Sequence, residues 1–527
     1  MPFIAFLLLT VCHFMSGYGI LTLFRLRLST AFAITLSLLL GIAVASFIPF
    51  LLQLFYIILT GTSIFLSLAI TALLLNIPTF LRIRREGFMA AGKAAGMAAG
   101  RKSTSYVPGS SYVPVSSYVP GSPNVPGSFR IRLYEIPYLL IIGFILFVSV
   151  WRCYYLPPTS RDALSGPEAI AEYAVREHTL VNSFFSVDLW STNNPFKSPY
   201  LVSLQMIYKM AGFPFGQVWL STVVISFTLF LYHALRQRVH PVIAGLLLLI
   251  FTMIPEVYSY TFMILYDYSN MVFFFLSLYF LFDYFNSSGG DSTNGDVSAG
   301  QGRRPYFYLA GLLMGIATYI RSETLVLAIL FLPILLFTQF RGKYPVKKMA
   351  RDSALFIVPS LVGYYLPTQF YIKYYLPVHY NIGSQVNDHL SNLQPLFQRY
   401  KEIITRLMTS GLGIHLWGYI IYIFFFLFLA ELIFLRRFSR EARNWLYAIT
   451  VFYLGLGLLG WLLPLMSLLE GTKRALFKLF PLLVLYMAGN GWLTRLSSLI
   501  YRWENAPAPA RAPAKVPASS SKKKLRK

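Results

Sequence analysis

The chain has 527 residues, of which 56% are hydrophobic and 17% aromatic. Only 12% are charged, about half the share found in soluble domains. This composition excludes a soluble globular domain, a disordered chain and a fibrous repeat, and it predicts a polytopic membrane protein. The formal net charge is +25, which fits either a nucleic-acid partner or the inner face of an anionic membrane. Two cysteines are too few for a disulfide framework or a cysteine-based zinc cluster.

Apolar runs predict an all-α membrane protein with about 13 transmembrane helices. Runs of about 18 residues or more can cross a bilayer as helices, and shorter ones are tolerated inside a bundle. The first run has neither a basic leading segment nor a small-residue cleavage site, so we interpret it as a retained helix and not a signal peptide. The predicted spans are 3–24, 30–51, 54–80, 136–156, 216–235, 241–257, 266–285, 306–320, 323–340, 353–372, 412–435, 444–467 and 475–496.

Loop charges predict the orientation of these helices. With the N-terminus outside and the C-terminus inside, the inner loops and the C-terminal segment hold 32 of the 45 Lys and Arg residues. The 20 acids divide almost evenly, with 9 inside and 11 outside. Basic loops remain on the cytoplasmic side of membrane proteins, so this orientation is favoured. Nucleic acid is excluded as a partner because the basic charge is spread over every inner loop and is not concentrated on one domain.

Four regions follow from this topology. Residues 1–80 are three N-terminal transmembrane helices, and 81–135 is a cytoplasmic linker that contains hexapeptide repeats of the SYVPGS type. Dense Pro and Gly favour extended, unpacked chain in such a linker. Residues 136–497 form the main transmembrane region, and 498–527 is predicted to be a disordered basic cytoplasmic tail that contacts anionic headgroups.

The outer side is the candidate functional face. It carries two large loops, 157–215 and 373–411, which are expected to contain amphipathic helices, and most ionisable residues next to span ends. Glu168 and Glu172 lie four residues apart and are predicted to share one face of a helix that starts after Pro167. Ionisable groups at a membrane boundary are costly unless paired or hydrated. We therefore expect a shared interface for Asp162, Glu168, Glu172, Glu256, Asp267, Arg321, Glu323, Lys473 and Arg474.

The pattern of residues 135–495 resembles the GT-C superfamily of polytopic glycosyltransferases, of the protein-mannosyltransferase and aminoarabinose-transferase type. An acidic residue in the first large outer loop is the hallmark of that family, and a Gly-rich span ending in a basic residue is a further feature. The order and shared sidedness of the stretches carry the resemblance. They are PPTSRDAL (157–164), NNPFKSPYLVSLQMIYKMAG (193–212), YDYSNMVFFFLSLYFLF (266–282), GLLMGIATYIRSETLVL (311–327) and EGTKRALFKLFPLL (470–483).

The resemblance implies transfer of a sugar from a polyprenyl-phosphate donor to a lipid, glycan or protein acceptor at the outer membrane face. It implies that Asp162 is the catalytic base. Many relatives carry two adjacent acids, but here Ala163 follows Asp162, so Glu168 or Asp267 are the candidates for a second acid. Positive charge must stabilise the leaving phosphate, and the candidate donor phosphate-binding residues are Arg321, Lys473 and Arg474. The loop has no DxD triplet, so we assign no metal ligands and no certain cofactor, although a divalent metal stays open.

Two rival classes share part of this pattern. A polysaccharide polymerase or ligase also uses a lipid-linked substrate and a large outer loop. A lipid-linked sugar transporter or flippase is expected to have related halves, broken helices and mid-membrane charges. His379, Asp388 and His389 match no standard zinc spacing, which favours a solvated loop. The strong charge bias fits a bacterial inner membrane with a periplasmic site, and an endoplasmic-reticulum enzyme facing the lumen has the same pattern.

Overall fold

The structure is a computed structural model that describes residues 2–26, 28–99, 131–186, 197–288, 304–341, 344–374, 394–462 and 467–505. Within these ranges all the regular elements are helices and no strand occurs. The hexapeptide repeats, the C-terminal tail and the loop with His379, Asp388 and His389 lie outside the described residues.

The first half of the chain begins with three long helices and continues with a fourth apolar helix and three helices of the first predicted outer loop. It ends in three further apolar helices, with one short helix between the last two. These are α1 (Pro2–Leu23), α2 (Thr30–Leu54), α3 (Gly61–Ala99), α4 (Ile136–Tyr155), α5 (Arg161–Leu164), α6 (Pro167–Glu177), α7 (Tyr200–Met210), α8 (Val218–Arg236), α9 (Pro241–Thr252), α10 (Pro255–Ser259) and α11 (Tyr266–Ser288).

The second half alternates long helices with short irregular turns. Its α-helices are α12 (Arg304–Ile320), α13 (Thr324–Arg341), α14 (Val346–Phe370), α15 (Gln394–Glu402), α16 (Gly411–Trp417), α17 (Ile420–Ala430), α18 (Arg440–Leu462), α19 (Lys473–Ala475), α20 (Leu479–Gly489) and α21 (Gly491–Glu504). Wider π-turns occupy Ile403–Met408, Glu431–Leu435 and Leu468–Thr472.

The helices make the chain a multi-pass membrane protein by length and composition. Eight are long and apolar enough to cross a bilayer, and up to ten spans result if each of two bent helix pairs counts as one. Each of the thirteen predicted spans falls on a helix, but α9 and α12 are short. The predicted count of 13 and the predicted orientation therefore stay predictions.

Two predicted spans are broken. The axis turns by 100° between α16 and the helix Ile420–Leu435, where Gly418 has a φ of 61°. Glycine adopts this left-handed conformation at little cost, so the break is encoded locally. The last predicted span, 475–496, is bent by 54° at Asn490, between the helices Leu468–Gly489 and Gly491–Glu504.

The core is centred on α11, whose apolar window is 94% buried, whereas those of α3 and α4 are 22% buried. Helices α12 and α18 pack on α11, and α14 packs on α12. The N-terminal helices join this bundle because α2 packs against α7 and α8.

Helices α1 and α2 approach closely because small residues face each other. A Cβ added at Gly41 would lie 1.7 Å from the backbone oxygen of His13, so only glycine fits there. Close backbone approach through small residues is a common way for membrane helices to associate.

Helix α3 extends beyond residue 80, the end of the third predicted span. Helix α3 continues through Ala99, so the linker predicted to start at residue 81 is helical in its first part. The sequence here is rich in Ala and Arg, which are good helix formers.

Candidate active site

Asp162 lies on a single helical turn directly after the membrane helix α4. The turn α5 is capped by Ser160, whose Oγ accepts a hydrogen bond from the amide of Ala163 at 3.1 Å. The carboxylate of Asp162 is paired with the guanidinium of Arg474, 312 residues away in sequence. The two side chains are 21% and 24% exposed, so this ion pair lies at an accessible edge of the bundle.

A second acid, Asp267, occupies the first turn of α11. Its side chain is only 3% exposed and is paired with Arg321, which follows the end of α12. Arg321 also pairs with Glu323. The positive end of the α11 dipole also stabilises the negative charge of Asp267. Burial alone would lower the pKa of Arg321, but the carboxylates of Asp267 and Glu323 outweigh it and raise that pKa.

A third ion pair lies beside the first. The ammonium of Lys473 is 2.6 Å from the carboxylate of Glu256, which starts the short helix α10. Because Lys473 and Arg474 are adjacent, this pair and the Asp162 pair share the turn α19.

The three pairs belong to one electrostatic cluster. Asp267 is attracted not only to Arg321 but also to Arg474, Lys478 and Lys197, and Lys197 also interacts with Asp162. We call these nine residues the outer cluster. Its members are Asp162, Lys197, Glu256, Asp267, Arg321, Glu323, Lys473, Arg474 and Lys478.

The expectation that the charged residues next to outer span ends share one interface is confirmed for the pairs above. Seven of the nine residues expected at a shared interface lie in the outer cluster, namely Asp162, Glu256, Asp267, Arg321, Glu323, Lys473 and Arg474. The other two, Glu168 and Glu172, contact Lys209 instead. The chemical roles of these residues remain predictions.

Lys197 was not assigned a role from sequence. Its ammonium lies 5.5 Å from the centre of the Tyr266 ring, and Tyr266 donates its hydroxyl hydrogen bond to the backbone oxygen of Ser198 at 2.8 Å. Burial and the neighbouring Arg321 lower the pKa of Lys197 to about 8, against the attraction of Asp162 and Asp267. The sequence signal was a lone cation between Pro-rich apolar residues.

Lys478 was also missed. It is 1% exposed and interacts electrostatically with Arg321, Glu323 and Asp267. Lys478 follows Arg474 by four residues in the apolar run ALFKLFPLL. A charge inside such a run is expensive in a membrane and usually has a functional partner, which is the signal that could have identified it.

Glu168, a candidate second acid, has a different environment. Its carboxylate lies 2.7 Å from the ammonium of Lys209 and accepts a 2.6 Å hydrogen bond from Gln205. Lys209 also contacts Glu172 at 3.0 Å. The predicted shared face of Glu168 and Glu172 is thus confirmed, because both acids of α6 contact one lysine of α7. These contacts fasten two helices of the outer loop to each other.

The charges of Glu168, Glu172 and Lys209 stabilise each other. Burial opposes the charge of Lys209, but the hydrogen bonds and charges of Glu168 and Glu172 raise its pKa. The hydrogen bond from Lys209 is the main cause that lowers the pKa of Glu172. We call Glu168, Glu172, Gln205 and Lys209 the loop clamp.

Among the described residues, no group of three or more His, Cys, Asp or Glu side chains is arranged to hold a metal ion. The outer cluster instead pairs carboxylates with Arg and Lys side chains. An anionic ligand can bind these cations in place of the carboxylates. No protein-family model, curated protein or solved structure matches the chain. The fold and the cluster define an all-helical multi-pass membrane protein with a charged, partly buried site at one end of its helices.

Proposed function

We propose that the protein is an integral membrane glycosyltransferase. It moves a sugar from a polyprenyl-phosphate donor to a lipid, glycan or protein acceptor at the outer face of the membrane. The single observation that supports this proposal best is the outer cluster, in which Asp162 and Asp267 lie among Arg321, Arg474 and Lys197. The cations of the outer cluster match the negative charge of a lipid-linked phosphate.

The proposed reaction needs a base and a phosphate-binding group. The acceptor hydroxyl attacks the anomeric carbon, its proton passes to the carboxylate of Asp162, and the bond from that carbon to the phosphate oxygen breaks. The electron pair stays on the phosphate, where positive charge stabilises it. Arg321, Lys473 and Arg474 are the proposed phosphate contacts, and arginine is suited to a bidentate one. Attack opposite to the phosphate inverts the anomeric centre.

The ion pairs of the outer cluster suggest how the site is kept ready. The guanidinium of Arg474 binds the carboxylate of Asp162. A donor phosphate competes for that guanidinium, and the carboxylate of Asp162 is then released to accept a proton. The two side chains are 24% and 21% exposed, so a donor phosphate can reach the pair.

A lipid-linked sugar transporter is the second candidate, because two helix pairs are bent by 100° and 54° and broken helices are a feature of transporters. Transporters place their charges near the middle of the membrane. The outer cluster is instead formed at helix ends and in the turns between them, at α5, α10, α19 and the start of α11. We therefore favour the transferase.

Product analysis with a panel of donors separates these functions. Purified protein is reconstituted in vesicles with native membrane lipid extract and radiolabelled polyprenyl-phosphate sugars. A transferase moves the label to a new carrier and releases polyprenyl phosphate. A polymerase or ligase moves whole glycan chains between carriers, and a flippase leaves the donor chemically intact but changes its leaflet. Either of these two outcomes would overturn the proposed single-sugar transfer.

A further inference from the structure

Helix α21 has one face that packs on the protein and one that does not. Its exposed large residues are Trp492, Leu496, Leu499 and Trp503, with Trp503 80% and Leu499 58% exposed. Their spacing of four, three and four residues places them in one stripe along the helix. We call these four residues the apolar stripe.

The opposite face of α21 is anchored. Ser497 is 3% exposed and accepts a 2.8 Å hydrogen bond from the amide of His240. Glu504 is paired with Arg132 and lies 3.1 Å from the imidazole of His240. The His240 ring also contacts the Tyr501 ring, at 4.6 Å between centroids. These contacts fix the rotation of α21 about its axis, so the apolar stripe faces away from the rest of the protein.

The direction of α21 is fixed as well. The helix leaves the axis of its predecessor at 54°. At the bend, the side-chain oxygen of Asn490 accepts a hydrogen bond from the amide of Trp492 at 2.9 Å. The carboxylate of Glu431 accepts two hydrogen bonds, from the side chain of Asn490 at 2.7 Å and from the amide of Gly491 at 3.1 Å. A buried carboxylate at a helix N-terminus is favoured by the helix dipole. The bend is therefore a stable feature that directs α21 away from the path of a membrane-crossing helix.

Positive charge borders the apolar stripe. Arg495 and Arg502 are exposed and lie seven residues apart, which places both on the same flank of the stripe. The segment that follows, 506–527, contains seven Lys or Arg residues and no Asp or Glu. The helix and the sequence after it thus present apolar and cationic groups together.

We propose that α21 lies in the headgroup layer of the inner leaflet and binds anionic lipid. The apolar stripe enters the acyl boundary, and Arg495 and Arg502 contact lipid phosphates. An amphipathic helix with aromatic and leucine side chains beside basic ones binds this way, and its affinity depends on the content of anionic lipid. The arrangement differs from the predicted single span 475–496, because the last part of that span becomes the start of an interfacial helix.

The test measures the depth of α21 in vesicles. A fluorophore is attached at Leu499→Cys in full-length protein that carries Cys12→Ser and Cys153→Ser, and it is quenched by lipids with a spin label near the headgroup. Vesicles contain phosphatidylcholine alone or with phosphatidylglycerol. We expect quenching that is stronger with phosphatidylglycerol. Arg495→Gln with Arg502→Gln should lower the affinity for the anionic lipid about fivefold for each lost charge.

A matched control removes two other exposed inner-side cations, Lys347→Gln with Arg443→Gln, and should leave the quenching unchanged. An equal loss of quenching in this control would overturn the proposal, because the lipid would then respond to the charge of the whole inner face and not to α21. A fluorophore in water that spin-labelled lipid does not quench would also overturn it. So would a signal that depends on protein concentration, since a second copy of the chain would then cover the stripe.

Discussion

Asp267 is the most deeply buried carboxylate of the outer cluster, at 3% exposure against 21% for Asp162. The sequence could predict that both acids lie at span ends, because each follows or begins an apolar run, and the loop charges predict the same side for both. It could not predict that Asp162 pairs with Arg474, since 312 residues separate them and pairing depends on how the helices pack. Lys197 and Lys478 were missed because the only sequence signal, a single lysine in an apolar context, does not show which residues it contacts.

Removal of the Asp267 carboxylate should destabilise the protein more than removal of an acid at the edge of the cluster. Asp267→Ala leaves Arg321 buried beside other cations, so we expect a loss of about 3 kcal/mol in the free energy of unfolding. Glu256→Ala, in a more exposed pair, should cost less than about 1 kcal/mol. Denaturant unfolding in detergent micelles measures both, and equal losses would contradict this assignment of burial.

Donor binding should weaken as the pH rises through about 8, the pKa to which burial lowers Lys197. Above that pH the ammonium loses its proton, so one positive charge near the donor phosphate disappears. The Michaelis constant for the donor should therefore increase between about pH 7 and pH 9.5, whereas Lys197→Arg should weaken this dependence because arginine stays charged. A native profile that is flat over this range would exclude a role for Lys197 in donor binding.

At the scale of helices, hydropathy located every apolar helix but not the breaks. The run 412–435 is apolar apart from His415 and Glu431, so a sliding window averages over Gly418, whose φ of 61° permits the 100° turn. The amphipathic helices α6 and α7 were expected in the outer loop. Their mutual contact through the loop clamp was not, because it joins residues from two separate helices.

The loop clamp should support catalysis without taking part in it. Helix α6 follows the turn with Asp162, and α7 follows Lys197, so the bond between them sets the position of both residues. Lys209→Met should lower the turnover number between about tenfold and a hundredfold by misplacing these groups. The control is Arg176→Met, because Arg176 is 69% exposed and pairs only with the exposed edge of Glu172. An equal effect of the two variants would show that the clamp does not position the site.

At the scale of the whole molecule, the three N-terminal helices are part of the framework of the outer loop. Gln53 of α2 accepts hydrogen bonds from the hydroxyl of Thr179 at 2.9 Å and from the amide of Leu180 at 3.0 Å. The amide of Leu59 donates to the backbone oxygen of His178 at 3.0 Å. Nothing in the sequence connects residues 1–80 to the loop, because these contacts depend on how the helices pack.

Loss of the Gln53 contacts should loosen the loop. Gln53→Ala removes the acceptor for Leu180, so hydrogen exchange at residues 178–182 should become about tenfold faster, as expected for the loss of about one hydrogen bond. Gln53→Glu keeps an acceptor oxygen and should exchange near the native rate. Unchanged exchange in Gln53→Ala would mean that the N-terminal helices do not hold this loop.

The most direct test of the central claim, that the outer cluster transfers a sugar with Asp162 as the base, is the rate of acceptor-dependent release of polyprenyl phosphate by Asp162→Asn. We expect a rate about a hundredfold to ten-thousandfold below that of the native protein, with little change in Glu177→Gln, a matched acid-to-amide change at an exposed residue of the same loop. Release of polyprenyl phosphate at the native rate by Asp162→Asn would contradict the claim and move the search for the base to Asp267.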